Sequence, residues 1–279
     1  QATGCLERIR SWAQRENVKV YFHPLLADVL PACADILTSE EEFLEKSEAL
    51  VSVGGDGTFL SVVHMTQFSG KPVIGVNLGG IGFLTDINND SVEENLHQIH
   101  TGHYFVTRRM VMKAALIRGG EEIATFHALN DLYLYRAHSP KIITLGAWSG
   151  GHFIAYFRGD GLIIATPSGS TAYSLAAGGP IVDPSIEAFL LTPICPHSLT
   201  ERPMLLPSGK EIRLQVDKSN PAIVMSADGI YTHALQAGDE IRITASSNGA
   251  ALVQISERSY FELLRTKLDW GRDLKRGDA

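Results

Sequence analysis

Residues 1–105 alternate between patterns that predict helices and patterns that predict short buried strands. Apolar positions over Leu6–Ala13 recur at the spacing of an amphipathic helix, and helical patterns also occur at 40–48 and from Phe59 onward. Three short apolar runs are typical of strands: Val18–Phe22, Ala49–Val53 and Lys71–Val76. Because strands that alternate with helices build parallel sheets, this part of the chain is predicted to be an α/β, Rossmann-like domain.

From Met112 the pattern changes to short β-rich runs separated by turns. The pairs Gly119-Gly120 and Gly150-Gly151 lie between such runs and are typical of two-residue hairpin turns. The predicted strands lie at Phe126, Leu132–Tyr135, Ile142–Trp148, Phe153–Phe157, Leu162–Ala165, Ile212–Val216, Ile223–Met225 and Ile241–Thr244. Residues 106–256 are therefore predicted to form an all-β sandwich domain. Residues 257–279, helical at their start, are expected to return and pack on the first domain.

The composition is that of a folded protein outside the membrane. The 279 residues are 44% apolar and 20% charged, and no apolar run approaches the ~20 residues that a membrane span needs. A net charge of −7 gives no electrostatic reason to bind nucleic acid or an anionic membrane. The three cysteines form no CxxC pair, and the start at Gln1 has no secretory-signal pattern, so we expect a cytoplasmic protein.

The segment Gly54-Gly55-Asp56-Gly57-Thr58 directly follows a predicted parallel strand. Glycines allow a tight turn and a close approach of the backbone to a phosphate, and one carboxylate stands at the carboxyl end of the strand, where open α/β sheets bind ligands. The alternative is a tight turn with a capping aspartate. The motif by itself also fits lipid kinases and phosphofructokinases.

A second segment, Thr166–Tyr173, is rich in hydroxyl groups and ends in an aromatic ring. Ser168, Ser170 and Thr171 supply hydroxyls that a ligand can bind, and the ring of Tyr173 can stack on a base. The alternative is an ordinary helix cap, although the same residues can serve both purposes. Together with the acidic glycine turn, this segment predicts a site for phosphorylation of a nucleotide.

Other candidate residues have simpler interpretations. His97, His100 and His103 are predicted to form a polar helix end and loop, so we assign no metal ion to them. Asp228-Gly229 is typical of a β-turn, with a contribution to the ligand site as the alternative.

Several short motifs follow one another along most of the chain. They are Gly54–Thr58, Gly75–Gly79, Gly82–Thr85, Leu129–Asp131 and the stretch from Asp160-Gly161 through Gly179-Pro180. In these motifs and in their order the chain resembles the bacterial NAD kinase family. The resemblance implies transfer of a phosphoryl group from ATP, or in some members polyphosphate, to the 2′-hydroxyl of the adenosine ribose of NAD, which gives NADP.

The resemblance also implies roles for particular residues. Asp56 would accept the proton, Asn130 and Asp131 would bind NAD, and Asp160 would hold a ribose or a group on the nicotinamide side. The residues that would line the adenosine pocket are Thr171, Ala172 and Tyr173. The rest of the implied substrate site is Gly57, Lys141, Arg158, Ser174, Leu175 and Ala176.

The resemblance implies Mg²⁺, or another divalent cation, as a cofactor bound with ATP. The hard oxygen ligands of the donor phosphates and of a carboxylate suit such an ion. The implied assembly is a homodimer or homotetramer. Two other functions remain open from the residues: a lipid or sugar kinase that shares the acidic glycine turn, and a non-catalytic dinucleotide sensor. The Thr166–Tyr173 segment favours NAD kinase over the first, and Asp56 argues against the second.

Overall fold

The computed structural model describes residues 1–30, 36–37, 39–80, 82–137, 140–220, 222–256 and 259–271. The helices are α1 (Ala2–Arg15), α2 (Glu40–Lys46), α3 (Asp56–Met65), α4 (Val92–His100), α5 (Tyr173–Ala176) and α6 (Tyr260–Leu268). The strands are β1 (Leu50–Gly54), β2 (Val73–Asn77), β3 (Ile87–Asn88), β4 (Phe105–Arg109), β5 (Met112–Arg118), β6 (Glu121–Ala128), β7 (Asp131–Arg136), β8 (Ile143–Ser149), β9 (His152–Gly159), β10 (Gly161–Ala165), β11 (Ala188–Ile194), β12 (Met204–Pro207), β13 (Ile212–Val216), β14 (Ile223–Ala227), β15 (Tyr231–Leu235), β16 (Glu240–Ala245) and β17 (Ala250–Gln254).

The chain divides into two compact units. The first comprises Gln1–Arg108 together with the described residues from Ala250 on, and the second comprises Arg109–Gly249. The sequence prediction assigned residues 250–256 to the second domain. In the structure, β17 instead pairs with β2 in the sheet of the first unit, because its buried apolar residues complete that sheet. No helix among the described residues is long and apolar enough to span a membrane.

The first unit is the predicted α/β domain. Its sheet has the order β1-β2-β17-β4, with β3 also pairing with β2, and β1, β3 and β17 all run parallel to β2. Every residue of β2 is buried, as expected for a central parallel strand. The amphipathic helix α1 places Cys5, Ile9 and Trp12 in a core that also contains Ile74 of β2.

One predicted strand of this unit is absent. Of the segment Val18–Phe22, only Phe22 forms a bridge, to Ile36, and the rest belongs to no strand. The alternating apolar residues nevertheless have a role, since Phe22 and Leu6 form a small buried cluster with Val20 packed against it. Burial of alternate side chains therefore accounts for the pattern without a hydrogen-bonded ladder.

The second unit is the predicted β-sandwich. Its two six-stranded sheets have the orders β12-β11-β10-β7-β14-β15 and β6-β5-β16-β13-β8-β9, and their facing apolar side chains share one core. Both predicted glycine turns join hairpins, β5 to β6 and β8 to β9, with positive φ at all four glycines.

The register of the three central strands brings their connecting segments together. Asp131, at the start of β7, pairs with Ala165, at the end of β10, and Leu132 pairs with Ala227, at the end of β14. The residues that precede β7 and those that follow β10 and β14 therefore lie side by side at one end of these central strands.

Candidate active site

Asp56 is fixed at the junction of β1 and α3. Gly55 caps the helix, and Asp56 is its first residue. Its carboxylate accepts hydrogen bonds from the backbone N–H groups of Phe83, at 2.9 Å, and Leu84, at 3.2 Å. The acidic glycine turn and the Gly82–Thr85 motif, separate in sequence, thus form one cluster.

A second layer of hydrogen bonds supports this cluster. The Thr85 hydroxyl donates to Asp56 Oδ1 at 3.4 Å and accepts from Asn77 Nδ2 at 2.9 Å. Gly82 packs so closely that a Cβ atom there would lie 2.1 Å from Asp56 Oδ1. The half-buried carboxylate is therefore held in one orientation by its neighbours.

In the second unit, the segment Leu129–Asp131 lies between the segments that follow β10 and β14. Asp228 accepts hydrogen bonds from the backbone N–H groups of all three residues, at 2.8 to 2.9 Å. On the other side, Thr166 N donates to Asn130 O at 2.8 Å and Thr166 Oγ1 donates to Leu129 O at 2.5 Å. The two motifs predicted to bind NAD, Leu129–Asp131 and Thr166–Tyr173, are thus in direct contact.

Most hydroxyls of the Thr166–Tyr173 segment hold the segment itself together. Ser170 is fully buried, and its Oγ contacts Pro167 O at 2.7 Å and the backbone of Val182. Ser174, just beyond, is also fully buried and bonds to Thr192 at 2.8 Å. The expectation that this turn offers all its hydroxyls to a ligand is wrong for Ser170, and the buried Ser174 side chain cannot reach a ligand either.

Tyr173 and Asp131 lie next to each other at this end of the central strands. The Tyr173 ring is 41% exposed and meets the ring of Tyr133 edge to face at 5.1 Å, which leaves ring surface for a ligand. Asp131 is only 4% exposed. Burial and the charge of Asp228 raise the pKa of Asp131 to about 7, although the Tyr173 N–H acts in the opposite direction.

The remaining predicted residues have varied surroundings. Asp160 forms an ion pair with Arg136 at 3.0 Å. Partial burial of the phenol is the main reason that the pKa of Tyr173 is raised, and the charge of Asp160 is the smallest of the further causes. Arg158 is exposed on β9 and Lys141 is exposed just before β8. Partly or fully exposed positions are also found for Gly57, Thr171, Ala172, Leu175 and Ala176.

The other candidate residues have structural roles. His97 and His100 are in the last turn of α4, where His100 meets the edge of Trp12, and His103 follows in the loop. Asp228 begins a turn, as predicted, with φ of 51°. Within the described ranges, no three His, Cys, Asp or Glu side chains are grouped closely enough to hold a metal ion.

The sequence prediction missed two features of these sites. The first is the three-fold contact of Asp228, for which the only signal is an aspartate before glycine, a pair typical of residues with positive φ. The second is the pair of backbone N–H groups from Phe83 and Leu84. Backbone groups leave no mark on the residue types, so no signal in the sequence could have shown them.

Two family models match this chain, one for each of its units. The family model described as ATP-NAD kinase N-terminal domain matches residues 7–104, and the one described as ATP-NAD kinase C-terminal domain matches residues 129–255. The first match lies within the α/β unit of this chain, and the second covers most of its β-sandwich unit.

Individual relatives agree with this class. The NAD kinase of Syntrophobacter fumaroxidans is 38% identical over 98% of this chain and 95% of its own, and that of Desulforamulus reducens is 36% identical over 96% and 93%. The crystal structure of yeast NADH kinase complexed with NADH matches with a TM-score of 0.91 and 29% identity, over 99% of this chain and 86% of its own. An Archaeoglobus fulgidus NAD kinase in complex with ATP matches with a TM-score of 0.74 and 27% identity, over 95% of each chain. The chain belongs to the NAD kinase family.

Proposed function

We propose that this enzyme transfers the terminal phosphoryl group of ATP to the 2′-hydroxyl of the adenosine ribose of NAD, giving NADP. The observation that carries the proposal is the Asp56 carboxylate, held by two backbone N–H groups at the strand-to-helix turn of a chain whose relatives are NAD kinases. In the reaction, the bond between the donor bridging oxygen and the γ-phosphorus breaks, and a bond from the ribose oxygen to that phosphorus forms. The hydroxyl proton passes to Asp56.

Asp56 acts mainly by orienting the hydroxyl. Phosphoryl transfer has a loose transition state, so position and charge neutralisation matter more than the strength of the base. Leu84 N and the Thr85 hydroxyl both donate to Oδ1, whereas Oδ2 accepts only from Phe83 N among the described residues. Oδ2 therefore keeps a second lone pair that can accept from the ribose hydroxyl. Proton transfer by such a group contributes typically ~10²–10⁴ in rate.

The second unit supplies the groups that recognise NAD. The exposed part of the Tyr173 ring stacks on adenine, and the Asn130 amide, which has no hydrogen-bond partner among the described residues, binds the dinucleotide. Asp131 and the Asp160 carboxylate provide acceptors for ribose hydroxyls. Thr171 and Ala172 border the adenosine.

The residues present fit Mg²⁺ that arrives with ATP. This ion commonly keeps several waters and takes one or two carboxylates together with phosphate oxygens. No cluster of three acidic, histidine or cysteine side chains exists in the described part of the chain, so the phosphates and water have to supply most of its ligands. When bound, the ion neutralises charge on the donor phosphates.

The experiment compares wild type with Asp56→Asn in a coupled assay for NADP. We expect kcat to fall by ~10²–10⁴ and the KM for NAD to stay within about threefold, because asparagine keeps the shape but does not accept the proton. Asp90→Asn, an exposed acid of the same unit, is the matched control and should retain full activity. Unchanged turnover in Asp56→Asn would exclude Asp56 from the reaction.

Related assays separate the other functions. Running the NADP assay with ATP and with polyphosphate identifies the donor. Because no NADP forms from another acceptor, ADP release is measured instead when diacylglycerol or a sugar replaces NAD, which tests for a lipid or sugar kinase. Tight binding of NAD without turnover of any acceptor would identify a dinucleotide sensor and contradict the proposal.

A further inference from the structure

The backbone of the segment Leu129–Asp131 is held from two sides. Asp228 Oδ2 accepts from Leu129 N at 2.8 Å, and Asp228 Oδ1 accepts from Asn130 N at 2.8 Å and Asp131 N at 2.9 Å. The backbone N–H of Asp228 donates in return to Asp131 O at 2.9 Å. Four hydrogen bonds thus join one turn residue to a segment about a hundred positions earlier in the chain.

The opposite side of the segment is closed by Thr166 and Gly169. Thr166 occupies the carbonyl oxygens of Leu129 and Asn130. Gly169 lies so close that a Cβ atom there would be 2.0 Å from Asn130 O. All backbone polar groups of Leu129 and Asn130 are therefore satisfied, whereas the Asn130 side-chain amide has no partner among the described residues.

We infer that Asp228 is a positioning residue for NAD binding, which fixes the Asn130 amide through its carboxylate contacts with the backbone of Leu129–Asp131. This inference rests on the proposed function, since Asn130 is the group proposed to bind NAD. In this proposal Asp228 acts on NAD only through the Leu129–Asp131 segment and does not itself bind the substrate. Its effect therefore falls on the affinity for NAD and leaves the phosphoryl transfer step largely unchanged.

A turn alone does not require an aspartate here. Asparagine also tolerates the φ of 51° at this position and would avoid the repulsion between the carboxylates of Asp228 and Asp131. Asparagine, however, has only one accepting oxygen, and its NH₂ group would face the N–H of Leu129. The carboxylate with two accepting oxygens is the only small side chain that satisfies three donors at this place.

Two variants test the inference without introducing backbone strain. Asp228→Asn keeps one accepting oxygen, and Asp228→Gly keeps none, while both residues accept positive φ. Because each buried donor left without a partner is costly, we expect the KM for NAD to rise by ~3–10-fold in Asp228→Asn and by ~10–100-fold in Asp228→Gly. The kcat value and the KM for ATP should stay within about threefold of wild type.

The control is Asp217→Asn, which removes a carboxylate that accepts from Ser219 N and Oγ in an exposed turn of the same unit. It should leave both KM values unchanged. A graded rise in the KM for NAD, with kcat preserved, supports positioning. Unchanged KM values, or a fall in kcat with no rise in the KM for NAD, would overturn it. The activity of the wild-type enzyme on NAD tests the proposed function separately.

Discussion

Replacing Gly82 by alanine tests whether the orientation of the Asp56 carboxylate controls turnover. Gly82 has no positive φ, so alanine brings no backbone strain, and the change adds a single methyl group. That methyl carbon would lie 2.1 Å from Asp56 Oδ1 and 2.3 Å from Thr85 Oγ1. Both atoms belong to the hydrogen-bonded cluster around the carboxylate.

The expected magnitude follows from the distance. Ordinary contacts of a Cβ atom begin at about 3.4 Å, so the carboxylate and the added methyl group have to separate by ~1 Å. The N–H groups of Phe83 and Leu84 follow Gly82 directly in the chain, so a shift of this loop also moves the donors that hold Asp56. A displacement of ~1 Å in a reacting group can cost ~10²-fold in rate, and we expect kcat to fall by about that factor.

The assay measures NADP formation over a range of NAD concentrations. The KM for NAD should stay within about threefold, because the NAD-binding residues proposed above lie in the second unit. Gly80→Ala is the matched control, since its Cβ atom meets nothing within 4 Å. If Gly82→Ala and Gly80→Ala had the same kcat as wild type, the orientation of Asp56 would not limit the reaction.

Three further predictions concern the second unit. Tyr173→Ala should weaken NAD binding by ~1–3 kcal/mol through loss of a stacking surface, as measured by titration calorimetry, and an unchanged isotherm would show that the ring does not contact the base. Because the pKa of Asp131 is raised to about 7, its contribution to stability is present at low pH and is lost as pH rises from about 4 through about 7. Asp131→Asn should therefore increase the free energy of unfolding at pH 8 by up to ~4 kcal/mol and have little effect at pH 4. Equal effects at the two pH values in urea unfolding would contradict this. Arg118→Met should lower the free energy of unfolding, because Asp239, which is 1% exposed and is held by Arg118 at 2.7 Å, would lose its charged partner. An unchanged urea midpoint would show that the pair is not stabilising.

The candidate residues of the second unit show what residue types indicate and what they leave open. Thr166–Tyr173 was selected on its residue types and Leu129–Asp131 through the family resemblance, and the structure brings the two segments into contact. The use of their hydroxyls could not be predicted in the same way. A serine that binds a ligand and one that closes a turn, as Ser170 does, look identical in a sequence. Only the packing around Val182 decides between these two roles.

The strands also divide into those that the sequence pattern predicts and those that it does not. Strands with regular alternation or hairpin glycines were predicted, such as β5 to β6 and β8 to β9, but β3, β4, β11, β12, β15 and β17 were missed. In β11 all but the last residue is buried, so its apolar run has no alternation to mark it as a strand. The segment Val18–Phe22 had the pattern and yet forms no ladder.

The sequence by itself determined the two kinds of unit, the acidic glycine turn after a buried strand and the family to which the chain belongs, because these depend on residue type and spacing along the chain. The tertiary structure alone decided that β17 joins the first sheet, that backbone N–H groups orient Asp56, and that Asp228 holds Leu129–Asp131. The physical reason is that each of these contacts involves backbone groups and joins residues far apart in the chain. Every residue except proline carries the same N–H and C=O groups, so only the fold determines which of them meet.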